Sequence, residues 1–462
     1  MMKSLSYLMS ALVCLSLSFP VRAAVDVPLS SDTLPRHPFL GVTAEPAPGH
    51  HVRVAGLYPD SSAARSELKP GDILVSVNGA AIDSVSTFVA RVRSFKLGDR
   101  VICHVQRGIN EMDIEITLGE APREQPNDIQ VTYDTVRAGE ATLRSLITMP
   151  TDGRSKRPAV LFVQGIGCLS IEAPLATPNL TRDFAYRLTR SGFVVMRTEK
   201  SGVGDSLGRP CRDVGFHEEV AMFTSALRKL KSYDYVDKDN VFIFGHSAGG
   251  WIGPLVAMQE PVKGIAVYGT VVRPFMEYLI ENRRRNVWLR THPDLAELED
   301  EQRQYASLLH YVLIERLSAA EAIAKHPELT PVTKKVFLQD FDHLFDERSL
   351  QYYRELNDEN VARSWASLNL PVLAMIGEFD IRTTQFDHEY LAAIVNAQHP
   401  GRASWQVVPK LDHGFVAHQS LDDGVANEFV GPFGEQVVER TVTWMEAQSA
   451  AKKALPSSAV DQ

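Results

Sequence analysis

The sequence predicts two folded units: a large α/β domain with a doubly wound, mostly parallel sheet and a helical cap, preceded by a small, mainly β domain. From about residue 129 onwards, short apolar runs that favour strands alternate with helical periods. One such run, 241–244, leads directly into a Gly-x-Ser-x-Gly turn and then a helix. Between residues 38 and 119 the pattern changes to short alternating strands, with the tight-turn signal Asn78-Gly79.

The composition is that of an ordinary globular protein, with 44% hydrophobic and 23% charged residues among 462. The net charge of −9 gives no reason to expect a nucleic acid or an anionic membrane as a partner. The sequence contains no Cys and His spacing typical of zinc, and we expect no metal and no cofactor.

Residues 1–23 are predicted to be a cleaved secretory signal. Lys3 supplies the positive start, 8–19 form an apolar stretch, and Val21-Arg22-Ala23 provides a small-residue cleavage pattern. A membrane anchor is the alternative, but the apolar stretch is short and interrupted by serines. We therefore expect a periplasmic or secreted protein without a membrane span after cleavage.

The cysteines are informative because disulfides persist in an oxidising compartment. Three remain after residue 23, so at least one is unpaired. Cys168 and Cys211 each follow a Gly-rich loop expected at the same sheet edge, and we predict a disulfide between them. Cys103 lies inside a strand-like run and is expected to be a buried thiol. Three free thiols are the alternative.

The small domain is predicted to contain strands at 41–43, 52–54, 73–77 and 101–105 and a helix at 86–95. Its motifs are Phe39-Leu-Gly-Val42, Pro59-x-Ser-x-Ala63 and the long run Leu68-Lys-Pro-Gly-Asp-Ile-Leu-x-x-Val-Asn-Gly79. These residues resemble a PDZ domain of the type found in periplasmic proteases, over 37–120.

PDZ domains bind an extended peptide, or a protein C-terminus, by strand addition. The resemblance implies that backbone N–H groups of Phe39, Leu40, Gly41 and Val42 form the loop that holds the peptide carboxylate. The alternative is a PDZ fold that no longer binds peptides and serves as a spacer or docking surface.

Residues 121–128 are polar, contain two prolines and are predicted to be a linker. The second domain, 129–448, is expected to open with a hairpin formed by 129–135 and 142–149. Further strands are predicted at 158–163, 193–197, 241–244, 262–270, 371–376 and 405–408. The small, polar tail 449–462 is expected to be disordered.

Gly245-x-Ser247-x-Gly249, between a strand and a helix, is the nucleophile elbow of α/β-hydrolases. So sharp a turn strains the serine backbone and leaves no room for a Cβ at the flanking positions. The resemblance to this superfamily covers about 130–446 and implies an α/β-hydrolase fold with Ser247 as the nucleophile. The alternative is a Gly-rich turn that happens to contain a serine.

The turn after the strand 158–163 reads Gln164-Gly-Ile-Gly-Cys168, where α/β-hydrolases usually have His-Gly-x. The resemblance implies an oxyanion hole made by the backbone N–H groups of Ile166 and Ala248. A plain βα turn is the alternative. The loop 199–206 resembles the Asp-x-x-Gly-x-Gly-x-Ser loop of the superfamily and is interpreted as structural, because it lacks the spacing of a phosphate-binding loop.

A serine hydroxyl needs a base to take its proton, and the base needs an acid to fix its tautomer. The family order is Ser, then acid, then His, each after a strand. Asp380 follows the strand 371–376 and is the expected acid, with Glu378 as its rival. His413 precedes a glycine in the loop after the last core strand and is the expected base, with His418 as its competitor.

About a hundred residues lie between the strands 262–270 and 371–376, with helical periods such as 304–317 and 350–367. An insertion here is usually a cap over the active site, placed at about 274–367. Arg283, Arg284 and Arg285, with Tyr278, either line a pocket for an acidic substrate or form a solvated helix face.

Together these residues predict a serine hydrolase that cleaves carboxylic esters through an acyl-enzyme. The Gly-His-Ser-x-Gly-Gly sequence resembles both bacterial secreted esterases and oligopeptidase-like serine hydrolases, so a serine peptidase is the second hypothesis. The third is a peptide-binding protein whose hydrolase domain is inert. In each case the expected partners are a small ester or peptide substrate and, at the first domain, a peptide or protein C-terminus.

Overall fold

The computed structural model describes residues 34–49, 51–175, 179–338, 340–345 and 347–450. The predicted signal segment 1–23 lies outside these residues, and so does the predicted tail from residue 451 onwards. Among the residues described, no helix is long and apolar enough to cross a membrane.

The first domain is an antiparallel sheet with one helix packed at its edge. Its sheet has the order β2-β3-β4-β6-β7, with β5 paired to β4, while β1 pairs with β8. Alternate residues of β6 are buried because side chains two apart share a face of a strand. The elements are β1 (Pro38–Phe39), β2 (Val42–Ala47), β3 (His51–Leu57), β4 (Ile73–Val77), β5 (Ala80–Ala81), α1 (Val85–Arg93), β6 (Arg100–Arg107), β7 (Asn110–Thr117) and β8 (Gly119–Glu120).

The second domain is built on an eight-stranded sheet of order β18-β17-β14-β13-β11-β12-β10-β9. The pairs from β12 to β18 are parallel, and the predicted hairpin β9-β10 is antiparallel at one edge. A two-stranded ribbon, β15-β16, lies outside this sheet. The strands are β9 (Ile129–Ala138), β10 (Ala141–Pro150), β11 (Arg157–Val163), β12 (Val194–Thr198), β13 (Val236–His246), β14 (Gly264–Tyr268), β15 (His343–Leu344), β16 (Arg348–Ser349), β17 (Val372–Gly377) and β18 (Ala403–Val408).

Helices cover both faces of this sheet, and most of the predicted insertion between β14 and β17 is helical. The expected helix over 304–317 instead ends at Leu309 and continues as a π-helical turn, His310–Ile314. The helices are α2 (Leu180–Arg190), α3 (Phe216–Ser232), α4 (Gly249–Gln259), α5 (Phe275–Thr291), α6 (Leu295–Leu309), α7 (Ala319–Lys325), α8 (Thr330–Val336), α9 (Leu350–Asp358), α10 (Val361–Ser367), α11 (Gln385–Gln398), α12 (Leu421–Ala426) and α13 (Glu435–Ala450).

The two faces of the large sheet have separate cores because side chains alternate along each strand. Leu161 of β11 and Ile243 of β13 pack with residues of α3, α4 and α11. Phe162 and Phe244 point to the opposite face, where they pack with α2 and α13. Strands buried on both faces read as continuous apolar runs, and this made them recognisable in the sequence.

Buried ion pairs join the two domains and hold the first half of the segment predicted to be a linker, whereas Gln125, Asn127 and Asp128 are exposed. Arg36 donates hydrogen bonds to Asp205 (2.6 Å) and Glu172 (2.8 Å) of the second domain, and to the carbonyls of Ala121 and Pro122. Two residues after Pro122, Glu124 accepts hydrogen bonds from the buried side chains of Arg197 and Tyr186. The connection therefore fixes the first domain against the loop that follows β12.

Candidate functional site

Ser247 lies at the turn between β13 and α4, in the centre of the large sheet. Its φ is +53°, a left-handed conformation that is strained for a residue with a side chain. A Cβ at Gly245 would lie 2.6 Å from the carbonyl oxygen of Gly249, and a Cβ at Gly249 would lie 2.3 Å from that of Val163. Both glycines are therefore required by close backbone approach, which lifts the serine hydroxyl above the strand ends.

His413, in the loop after β18, contacts Asp380, in the loop after β17. Nδ1 of His413 lies 2.8 Å from Oδ2 of Asp380. The Asp380 carboxylate also accepts hydrogen bonds from the backbone N–H groups of Arg382 and Thr383. Burial raises the pKa of Asp380, but attraction to His413 and these hydrogen bonds outweigh burial and hold the pKa below its usual range. Asp380 is therefore a carboxylate that orients the imidazole.

The two rival residues have other partners. Glu378 accepts a hydrogen bond from the backbone N–H of Lys410. His418 contacts Asp412 through Nε2 at 3.0 Å, and Asp412 also accepts the N–H of Gly414. The pair Asp412–His418 thus braces the loop that carries His413.

Ser247 and His413 line one cavity of about 1000 Å³. In the part of the chain that the structure describes, no hydrogen bond joins the Ser247 hydroxyl to the imidazole of His413. Hydrogen bonds between a nucleophile and its base are often long without substrate and tighten when substrate binds. The arrangement brings a strained serine and a histidine to one cavity wall, with the carboxylate of Asp380 buried behind the histidine.

His246, next to the serine, links the elbow to the histidine loop. Its Nε2 lies 2.8 Å from the carbonyl oxygen of His413. Burial, helped by the nearby imidazole of His413, lowers the pKa of His246 to about 3. A neutral imidazole has one N–H, and since the partner is a carbonyl, Nε2 is the donor. The His246 side chain therefore connects the elbow to the loop that carries His413.

The backbone N–H groups of Ile166 and Ala248 are both free to donate to a ligand oxygen. Within the described ranges, neither N–H donates to a protein acceptor. Gly165 packs against the serine, because a Cβ there would lie 3.3 Å from Cβ of Ser247. Lys200 donates to the carbonyl oxygens of Gly165 and Ile166 from the other side of this turn.

The remaining cavity wall comes from the helices and loops between β14 and β17 and from the loop after His413. Much of it is apolar or aromatic, and it includes Phe275, Leu279 and Phe429. Arg283 also lines it, but pairs with Glu301. The other two members of the predicted arginine cluster are paired outside the cavity, with the partners Glu299 (for Arg284) and Glu281 (for Arg285). The expected solvated helix face therefore describes Arg284, whose side chain is 43% exposed, while Arg283 and Arg285 are largely buried.

Cys168 and Cys211 are joined in a disulfide that closes a segment of 43 residues. It ties the turn containing Ile166 to the loop after β12. Cys103 is buried and free in the first domain, and burial raises its pKa to about 12. Across the described residues, no group of three or more His, Cys, Asp or Glu side chains is arranged to hold a metal ion.

The loop expected to bind a peptide carboxylate, Phe39 to Val42, lies between β1 and the edge strand β2. Gly41 has a φ of +93°, and a Cβ there would clash with Ser61. The N–H groups of Leu40 and Gly41 have no acceptor among the described residues. Helix α1 lies beside β2 and β1.

Comparison with known families supports this division of the chain. Residues 38–118 match the PDZ domain, and residues 177–332 match the serine aminopeptidase family S33. The chain joins a PDZ domain to an α/β-hydrolase domain. The S33 match includes Ser247 and ends before Asp380 and His413, so the partners of the serine rest on the geometry above.

Individual relatives are distant. The chain is 22% identical to esterase EstD of Thermotoga maritima over 304 residues, which are 65% of this chain and 64% of EstD, less than two thirds of that protein. It is 29% identical to a probable periplasmic DegP-like serine endoprotease of Halomonas elongata over 124 residues, 24% of this chain and 26% of that protein. Among solved structures, Est1E from Butyrivibrio proteoclasticus, with ferulic acid bound, gives a TM-score of 0.45 at 16% identity, covering 69% of this chain and 99% of Est1E.

Sequence reasoning missed two side chains of the hydrolase domain that hold the site together. His246 was passed over as the variable residue of the elbow motif, and Lys200 as part of a structural loop. A signal for Lys200 existed: Lys is almost never buried unless it is paired, and this one directly follows a buried strand.

Proposed function

We propose that this protein hydrolyses carboxylic esters through an acyl-enzyme. Ser247 attacks the ester carbonyl, and His413 takes its proton and then returns it to the leaving alcohol. Asp380 holds the imidazole with Nε2 free to face the serine. The N–H groups of Ile166 and Ala248 stabilise the oxygen that becomes negative. Water then attacks the acyl-serine with His413 acting again as base.

One observation supports this proposal above all: the strained Ser247 shares a cavity wall with a histidine that is already paired to a buried carboxylate. Perturbed, buried titratable groups that converge on a large cavity are typical of catalytic sites. The likeness to an esterase, EstD, adds support for an ester as the substrate. The largely apolar cavity wall suits an uncharged acyl group.

The test is turnover of nitrophenyl esters of increasing acyl length by the full chain and by Ser247→Ala. We expect the substitution to reduce kcat by on the order of 10⁴-fold or more. A fluorophosphonate probe should label the wild type and not Ser247→Ala. A wild type that neither turns over esters nor reacts with the probe would refute the proposal and favour a peptide-binding protein with an inert hydrolase domain.

A serine peptidase is the second candidate, and the match to serine aminopeptidases of family S33 favours it. The same five groups would serve, with an amine as the leaving group. Aminoacyl and peptidyl nitroanilides, assayed beside the esters, separate the two. Turnover of anilides with little turnover of esters would make the peptidase the favoured function.

The PDZ domain is proposed to bind an extended peptide or a protein C-terminus along the edge of β2. The two free N–H groups of Leu40 and Gly41, just before β2, would donate hydrogen bonds to the terminal carboxylate of that peptide. Isothermal titration with peptides that carry a free or an amidated C-terminus tests this. Equal affinity for the two forms would exclude carboxylate recognition.

We also propose that the protein acts in the periplasm or outside the cell, after removal of residues 1–23. The disulfide Cys168–Cys211 fits an oxidising compartment. The partial likeness to a protein named as periplasmic adds to this. Cell fractionation, followed by sequencing of the mature N-terminus, should give a protein that begins at Ala24.

A further inference from the structure

Lys200 is a buried lysine whose ammonium group donates two hydrogen bonds and lies beside one carboxylate. It is the second residue after β12, and 3% of its surface is exposed. Its Nζ donates to the carbonyl oxygens of Gly165 (2.6 Å) and Ile166 (3.1 Å) and lies 3.0 Å from Oε1 of Glu219. Burial, together with repulsion from Arg348, lowers the pKa of Lys200 well below its usual value, and the Glu219 carboxylate beside Nζ opposes this by favouring the ammonium.

Two of these acceptors belong to the turn that carries the Ile166 N–H. In a trans peptide, the C=O of one residue and the N–H of the next point in opposite directions. The Gly165 carbonyl is held on the Lys200 side, so the Ile166 N–H points to the other side. The Ile166 carbonyl is held as well, which fixes the peptide planes before and after this residue.

We propose that Lys200 is a positioning residue for the oxyanion hole: it fixes and polarises the peptide group whose N–H, on Ile166, stabilises the tetrahedral intermediate. This inference rests on the proposed acyl-transfer function. A hydrogen bond from an ammonium to a carbonyl is charge-assisted, and it strengthens the N–H of the same peptide unit as a donor. Lys200 is absent from the described cavity wall and acts through the backbone.

The ion pairs around Lys200 allow this role to be separated from folding. Glu219 also pairs with Arg348, whose guanidinium donates to the carbonyl of Cys211 (2.6 Å). Removing Lys200 therefore leaves Glu219 with a cationic partner, and removing Arg348 leaves Glu219 with Lys200. The two substitutions damage the same buried cluster, but only Lys200 donates to the carbonyl oxygens of Gly165 and Ile166. Arg348 reaches this turn only at Sγ of Cys168 (3.4 Å).

The experiment compares Lys200→Met with Arg348→Met in the full chain, using the best ester found for the wild type. For Lys200→Met we expect kcat to fall by about 10- to 100-fold, less than the 10²- to 10³-fold typical of losing an oxyanion donor outright. KM should change little. The inhibition constant of an aryl boronic acid, whose serine adduct is tetrahedral, should rise in parallel with the loss of kcat/KM. Arg348→Met should lower Tm and leave both kcat and the boronate constant within about threefold.

Lys200→Arg, which keeps the charge and several donors, should recover part of the lost kcat. If Lys200→Met does not fold, Lys200→Gln replaces it and should show the same rise in the boronate constant. Unchanged boronate affinity in a folded Lys200 variant, or an equal loss of kcat in Arg348→Met, would overturn the proposal. A wild type without Ser247-dependent turnover of either esters or anilides would overturn the proposed function itself, and this inference with it.

Discussion

Nδ1 of His413 lies 2.8 Å from Oδ2 of Asp380, and the side chain of Asp380 is fully buried. Replacing Asp380 by Asn keeps the shape of the side chain but presents an amide that can donate to Nδ1. The imidazole would then place its proton on Nε2, the wrong side for a base facing Ser247. We expect kcat for ester hydrolysis to fall by about 10⁴-fold.

The matched control for this prediction is Glu378→Gln, in the same loop. Glu378 accepts a single backbone N–H, and a glutamine oxygen can accept it equally well. We expect kcat to stay within about twofold of the wild type. If kcat falls by a similar factor in both variants under identical conditions, the conformation of the loop, and not the Asp380 carboxylate, determines the rate.

His246 should affect the rate without affecting substrate binding. His246→Phe keeps a ring of similar packing and removes the N–H that holds the His413 carbonyl. Loss of one hydrogen bond, worth about 1–1.5 kcal/mol, predicts a decrease in kcat of about tenfold with KM unchanged. His246→Gln can place an N–H near the same point and should recover most of kcat. If KM rises while kcat stays constant, the residue contacts substrate and does not position His413.

The sequence predicted the strands of the large sheet well, because most are short apolar runs between turn signals. In the first domain it missed β7 (Asn110–Thr117), where charged and apolar residues alternate. It also placed Ser247, Asp380 and His413 at strand ends, since one sheet edge collects the ends of parallel strands. It could not predict polar partners that are distant in the chain. Arg36, just before the expected start of the PDZ domain, pairs with Asp205, which is 169 residues away in the chain.

Those distant pairs were invisible for a physical reason. Periodicity reports which face of an element is apolar, but a buried charge breaks the period and reads as a surface residue. The residues 121–128 likewise read as a linker because they are polar. In the structure Gln125, Asn127 and Asp128 are exposed as expected, but Glu124 is buried against Arg197, so its polarity reflects an ion pair.

Arg36→Met should loosen the junction between the domains. The substitution removes the hydrogen bonds to Glu172 and Asp205 and those to the carbonyls of Ala121 and Pro122. Breaking buried pairs costs about 3–5 kcal/mol. We expect proteolysis within 121–128 to accelerate by on the order of 10- to 100-fold, as measured by limited digestion. Arg53→Met, whose partner Glu45 is exposed, is the control and should digest like the wild type. Unchanged cleavage in Arg36→Met would show that other contacts hold the junction.

Glu199 makes the stability of the hydrolase domain depend on pH. Its carboxyl group is buried beside Ser170 and Ile171, and burial raises its pKa from 4.5 to about 7. The folded state therefore binds a proton more tightly than the unfolded state. The resulting stabilisation is fully present below about pH 4.5 and is lost as pH rises through 7, a loss on the order of 3 kcal/mol. Glu199→Gln stays neutral, and its amide oxygen can accept from the Ile171 N–H while its NH2 donates to the Ser170 hydroxyl. Between pH 5 and pH 8 this variant should lose less stability than the wild type. Calorimetry should therefore show a smaller decrease in its Tm over this range. The control is Glu446→Gln, an exposed position on α13, whose Tm should depend on pH as that of the wild type does. If the Tm of Glu199→Gln shows this same pH dependence, a group other than Glu199 causes it.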